Sequence, residues 1–213
     1  MNTLPPEASR RGLDREILGL ALPALGALAA DPLVSIVDTI FVGRLGVVPL
    51  AALGINASIF SMAFVLFNFL AYGTTPLVAR AVGRDDRDAA GRVVVQAFVV
   101  AILAGVIAVL ALQALAGPIV SAMGAEGELR ASTLSYLRIR AFAGPAVLLV
   151  TAGHGAFRGY HDTRTPLLVT LGLNLVNLVL DPLFIFGFGW GLEGAAFDSL
   201  IAQWVGALWF VDL

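Results

Sequence analysis

Apolar runs of about twenty residues recur along this chain, and that pattern alone excludes most soluble folds. Six can be drawn: residues 17–42, 50–72 with a helical continuation to 82, 93–115, 134–157, 166–188, and 192 to the chain end. A helix rises 1.5 Å per residue, so about 20 apolar residues cross the hydrocarbon of a bilayer. The composition agrees. Of the 213 residues, 59% are hydrophobic and 13% charged, against about 25% charged in ordinary soluble domains. The fold class this predicts is all-α, an integral membrane bundle of six transmembrane helices. Residues 1–15 read as a cytoplasmic N-terminal tail and residues 16–213 as the membrane unit.

Arginine placement sets the orientation. Arg10, Arg11 and Arg15 precede the first run, Arg80, Arg84, Arg87 and Arg92 join the second to the third, and Arg158 and Arg164 join the fourth to the fifth. Six spans place these three segments on one side. The other side carries Arg44 and Arg130 with Glu126, Glu128 and Glu193, and Arg138 and Arg140 lie near the outer end of the fourth run. The positive-inside rule then makes the N-terminus cytoplasmic. A signal peptide after Arg10-Arg11 is the competing reading. The apolar run passes Asp31 and reaches Val42, too long for the core of such a peptide. The chain ends at Phe210-Val211-Asp212-Leu213 without a polar tail, which suggests half of something longer.

Polar groups inside the runs carry the chemistry. A carboxylate at the centre of a span costs about 2.5–3.5 kcal/mol on insertion scales, so it is kept only where it faces a cavity or a partner. The fifth run holds Asn174, Asn177 and Asp181 at i, i+3 and i+7, one stripe of a helix. A carboxylate flanked by amides holds a cation through oxygen atoms, or a proton when neutral. The first run holds Asp31 and Asp38, two turns apart, with Pro23 and Pro32 able to kink the helix. If Asp38 and Asp181 share a cavity, a proton exchanges there for a cationic substrate. The ordinary alternative is interhelical hydrogen bonding, which suits Asn174 and also Asn56, Gln113 and His154. Asn68 and Gln203 are further candidates for a cavity lining, and the orientation of Asp198 is open. The chain has no cysteine, no Ser/His/Asp arrangement, no phosphate-cradling loop and no metal-ligand spacing. An enzyme, a bound cofactor and a nucleic-acid partner are therefore not expected.

Four segments together resemble the MATE (multidrug and toxic compound extrusion) family and its DinF-like branch. They are Leu22-Pro23 with Asp31-Pro32-Leu33, Val37-Asp38-Thr39 and Val42-Gly43-Arg44-Leu45-Gly46; Phe67-Asn68-Phe69-Leu70 with Gly73-Thr74-Thr75; Arg158 to Pro166; and Asn174 to Phe186. The resemblance implies a secondary transporter of twelve helices in two six-helix lobes, of which this chain is the N-terminal one. It implies an antiporter coupling H⁺ or Na⁺ entry to the efflux of organic cations and drugs across the bacterial inner membrane. It places the coupling groups at Asp38, Asn177 and Asp181, a nearby hydroxyl at Ser199, and a bending helix at Pro23. Asp198 departs from the small residue usual there and takes no role from the resemblance. Alternating access then requires the missing second lobe or a second copy of this one. A lipid-intermediate flippase of the wider superfamily and a non-transporting half-transporter are the alternatives.

Overall fold

In the computed structural model the described residues are Leu18, Ala21, Leu22, Leu25, Gly26, Ala29 and everything from Pro32 to Leu213. The tail 1–15, Pro23 and Asp31 lie outside them. Among the described residues the structure is helical and contains no strand. The helices are α1 (Pro32–Gly43), α2 (Val47–Val65), α3 (Phe69–Val82), α4 (Arg87–Ala122), α5 (Gly127–Ala141), α6 (Gly144–Gly159), α7 (Arg164–Pro182) and α8 (Gly191–Asp212). A short 3₁₀ turn, Leu66–Asn68, joins α2 to α3, and a five-residue π-helical segment, Leu183–Gly187, follows α7.

Four helical stretches are long and apolar enough to cross a membrane: Val47–Val82, Arg87–Ala122, Arg164–Gly187 and Gly191–Asp212. The pair α5 and α6 makes a fifth, and α1 is the described part of the first predicted run. The fourth run reads as one continuous helix in the sequence. The structure instead bends it by 52° between α5 and α6. Pro145 explains the break, because it lacks an N–H and its ring collides with the carbonyl four residues earlier. The outward side of α4 leaves Leu103, Ile107 and Leu110 more than half exposed, a surface that suits lipid rather than water.

The bundle is built around α6, where glycines of α6 itself and of α4 admit close contact with three neighbours. A Cβ at Gly155 would stand 2.9 Å from Ala71 Cα, and one at Gly159 would stand 2.6 Å from Val78 Cβ, so α3 packs directly on this face. On the α4 side, a Cβ at Gly105 would meet Pro145 Cα at 2.3 Å. On the α8 side, Gly153 accommodates the Phe210 ring. In lipid, apolar burial gives little drive for helix association, so close backbone approach and interhelical hydrogen bonds must supply it. The polar groups do so here. Asn56 Nδ2 donates to the Thr133 carbonyl at 3.2 Å, joining α2 to α5. Gln113 Nε2 donates to the Arg138 carbonyl at 2.8 Å, joining α4 to α5. His154 Nε2 lies 3.3 Å from Thr170 Oγ1, joining α6 to α7.

The connectors are capped in the ordinary way. Asp86 Oδ1 accepts the Ala89 N–H at 2.8 Å and opens α4. Asp162 accepts the N–H groups of Arg164 and Thr165 and the Thr165 hydroxyl, and opens α7. Burial alone would push the Asp162 carboxyl up. The hydrogen bonds from Thr165 and Arg164, with the Arg164 charge, overcome that and hold it below the usual carboxylate range.

Candidate ion-coupling site

The stripe Asn174, Asn177, Asp181 faces inward along α7, and all three side chains are buried. This follows from the helix period, since the residues between them on other faces, Leu175, Leu178 and Val179, are exposed. A cavity of about 410 Å³ opens beside the stripe. Asp38 of α1, Asn174 and Asn177 of α7, and Ser199 and Gln203 of α8 line it, together with Tyr136 and Arg140 of α5. Asp181 lies next to this lining and is fully buried. Five candidates from three helices, α1, α7 and α8, therefore meet at one cavity, with Asp181 beside Asp38. Asn68 stands apart: it is exposed at the end of the 3₁₀ turn and does not line the cavity.

Close packing sets the depth of Asp198. Gly194, one turn before it on α8, sits where a Cβ would lie 2.8 Å from the Phe184 carbonyl group. That contact draws α8 onto the segment that follows Asp181. Asp198 is fully buried as a result, and it lies within electrostatic reach of both Asp181 and Asp38. Asn177 Nδ2 donates to Asp198 Oδ2 at 3.1 Å and to Ser199 Oγ at 3.3 Å. Asp198 Oδ1 also accepts the backbone N–H of Ser199.

The remaining oxygen atoms are the chemically telling ones. Asp38 Oδ1, Asn177 Oδ1 and both carboxyl oxygens of Asp181 are buried and have no hydrogen-bond partner. Buried polar atoms are nearly always paired, and an unpaired one costs about 1–3 kcal/mol, more when charged. Three carboxylates at about 2.5–3.5 kcal/mol each reach the order of a whole domain's stability, about 5–15 kcal/mol. One positive group is at hand. Arg140 is half-buried in the cavity, with its guanidinium carbon 5.7 Å from the centre of the Phe60 ring, and it acts electrostatically on Asp38 and Asp198. A single arginine answers one of three acids. What is left can accept a proton or hold a small cation through oxygen atoms.

Sequence reasoning passed over Arg140, placing it near the outer end of a straight span. It lies near the middle of the bent α5–α6 pair, in the last turn before the break. The signal was Gly144-Pro145, which divides the apolar run and puts Arg140 near the middle of the bent pair. Tyr136, one turn earlier on the same face, was passed over for the same reason.

The MatE family model matches residues 23–183, which include Asp38 and the entire α7 stripe. The chain belongs to the MatE family. Its relatives include Protein DETOXIFICATION 44, chloroplastic, of Arabidopsis thaliana, 36% identical over 94% of this chain and 41% of that protein. The DNA damage-inducible protein F of Escherichia coli is 29% identical over 90% of this chain and 42% of that protein, which agrees with the DinF-like resemblance. Among solved structures, a MOP superfamily transporter from Pyrococcus furiosus superposes with a TM-score of 0.86 at 28% identity, over 92% of this chain and 44% of that one. This MatE chain thus spans less than half the length of the relatives it matches, and its helices correspond to one lobe of the solved transporter.

Proposed function

We propose that this chain is the N-terminal lobe of a secondary efflux transporter that couples inward movement of H⁺ or Na⁺ to export of organic cations. Asp38 and Asp181 are the coupling groups in this reading, and Asn177 is their orienting partner. The observation that carries it is the set of four buried, unpartnered oxygen atoms on those three side chains. Such oxygens are costly in hydrocarbon unless a positive charge is there for part of a cycle. The acidic excess around the cavity favours a cationic substrate. Membership of the MatE family supports the transport class. In this reading the membrane is a bacterial inner membrane, and the arginine distribution supports a cytoplasmic N-terminus. The second lobe, or a second copy of this one, would complete the substrate path.

The site works by differential occupancy. A neutralised site lets α1 close against α7, whereas an ionised one favours solvation and an open cavity. An ion and a cationic substrate then compete for the same negative charge, which is the requirement for exchange. A lipid-intermediate flippase keeps one specific observation in its favour, because Arg140 places a cation in the cavity for an anionic headgroup. The acids around it outnumber it, which ranks this reading second. Binding of lipid-linked anions in preference to organic cations would reverse that order. The test uses a full-length transporter carrying this lobe, reconstituted in vesicles. Asp38→Asn should abolish dye efflux driven by a proton or sodium gradient. Undiminished, gradient-dependent efflux in that variant would overturn the assignment.

A further inference from the structure

Asp198 is fully buried inside the helical bundle, yet neither the α7 stripe nor the coupling reading uses it. Its bonds show what it does. Both Asp198 oxygens act as acceptors, Oδ1 from the Ser199 N–H and Oδ2 from the Asn177 amide, so Asn177 turns its NH₂ toward Asp198. Ser199 Oγ reinforces the same orientation from the next residue of α8. The Asn177 carbonyl oxygen is thereby left on the opposite side, buried and without a partner, as are the Asp181 oxygens one turn along the stripe and Asp38 Oδ1 at the same cavity. Without an acceptor at position 198, the amide could flip and present a donor where an ion needs an oxygen.

We infer that Asp198 is a positioning residue that locks the Asn177 amide and so gives the ion-coupling site its third oxygen-bearing side chain. The inference rests on the coupling reading above. It assigns the orientation of Asn177 to α8, so the span bearing Ser199 takes part in ion binding without touching the ion. Asp198 also adds a negative charge to the cluster, and the experiment has to separate that charge from the geometry.

Two substitutions make the separation. Asp198→Ala and Asp198→Asn both remove the charge, but only asparagine keeps an acceptor for the Asn177 amide. The probe is N,N′-dicyclohexylcarbodiimide, an apolar reagent that modifies carboxyls in membrane interiors, with mass spectrometry to find the labelled residue. Labelling rates at Asp38 and Asp181 are compared at one pH in the purified chain. The alanine and asparagine variants should differ about tenfold, the scale of leaving one buried donor unpaired. In an Asn177→Ala background that difference should shrink to within about twofold, because the group through which Asp198 acts is gone. Equal rates in the two variants, or a difference that persists without Asn177, would overturn the positioning role. If neither Asp38 nor Asp181 is labelled in the unmodified chain, the coupling reading fails and this inference falls with it. If the alanine variant does not fold, Asp198→Val, also without an acceptor, replaces it. Failure of both to give a monodisperse protein while asparagine folds would mark Asp198 as structural and refute the inference.

Discussion

Asp181 gives the sharpest test of whether the buried acids serve ion coupling or the fold. It is fully buried, and neither carboxyl oxygen has a hydrogen-bond partner. Replacing it by asparagine keeps the shape and removes the charge. If the carboxylate held the bundle together, the change would destabilise by about 3–5 kcal/mol, as breaking a buried pair does. The nearest polar neighbours of Asp181 are the carboxyls of Asp38 and Asp198 rather than a cation, so the substitution relieves like-charge crowding and an uncompensated burial cost instead. The expected outcome is a gain of about 1–3 kcal/mol where no coupling ion is bound.

The assay is thermal unfolding of the purified chain in detergent, followed by tryptophan fluorescence. For a chain of this length about 1 kcal/mol moves the midpoint by about 2–4 °C, so the gain should read as several degrees. A second readout separates ion binding from packing. An ion that binds only the folded state adds RT ln(1 + [L]/Kd), about 2.7 kcal/mol at a hundredfold excess over Kd. The unmodified chain should therefore gain stability on addition of Na⁺, with choline as the ionic control, or on acidification if H⁺ is the ion. Asp181→Asn should lose that response. The combination expected is a higher midpoint without the ion and a flat response to it. A lower midpoint under every condition, with the ion response intact, would refute the reasoning and make Asp181 a structural group.

Two further predictions address the scaffold. Gly159→Leu places side-chain atoms where even a Cβ would stand 2.6 Å from Val78, so it should cost about 3 kcal/mol or more and lower the monodisperse yield in detergent. Asp162→Ala removes the carboxyl that accepts the first two N–H groups of α7 and should cost about 0.5–2 kcal/mol, seen as faster amide exchange over the first turn after Arg164. The same experiment has a pH signature. Because the Asp162 carboxyl is held below its ordinary value, its stabilisation is fully present above about pH 4 and is lost as pH falls through the depressed value. The alanine variant should not show that loss.

The sequence makes the membrane bundle legible because hydrocarbon imposes a length and a polarity that few chains meet by accident. The α7 stripe was legible for a related reason: each of its polar residues is costly in lipid, and their spacing assigns them to one face. Arg140 was not. Its depth depends on where the fourth span bends, and the bend comes from Pro145 together with the close contact of Gly105 on α4. Packing of that kind is invisible in a linear pattern of hydropathy. Asp198 was visible as an acid but had no direction, because α8 has small or apolar residues on every side. The approach of Gly194 to the Phe184 carbonyl, which sequence spacing does not encode, turns it toward Asn177.

These two residues change the charge arithmetic of the cavity. Under the coupling proposal, Asp38 and Asp181 alone would leave one negative charge for a substrate once one ion is bound. Asp198 adds a third acid and Arg140 returns one positive charge, so the net requirement is again two. The distribution differs, however. Arg140 is half-buried and lines the cavity beside Phe60, whereas Asp198 and Asp181 are fully buried. The negative charge is thereby concentrated at depth, where the low dielectric strengthens its pull on a small ion. Under the coupling proposal, the small ion is drawn to the fully buried acids while it and a cationic substrate compete for the same negative charge.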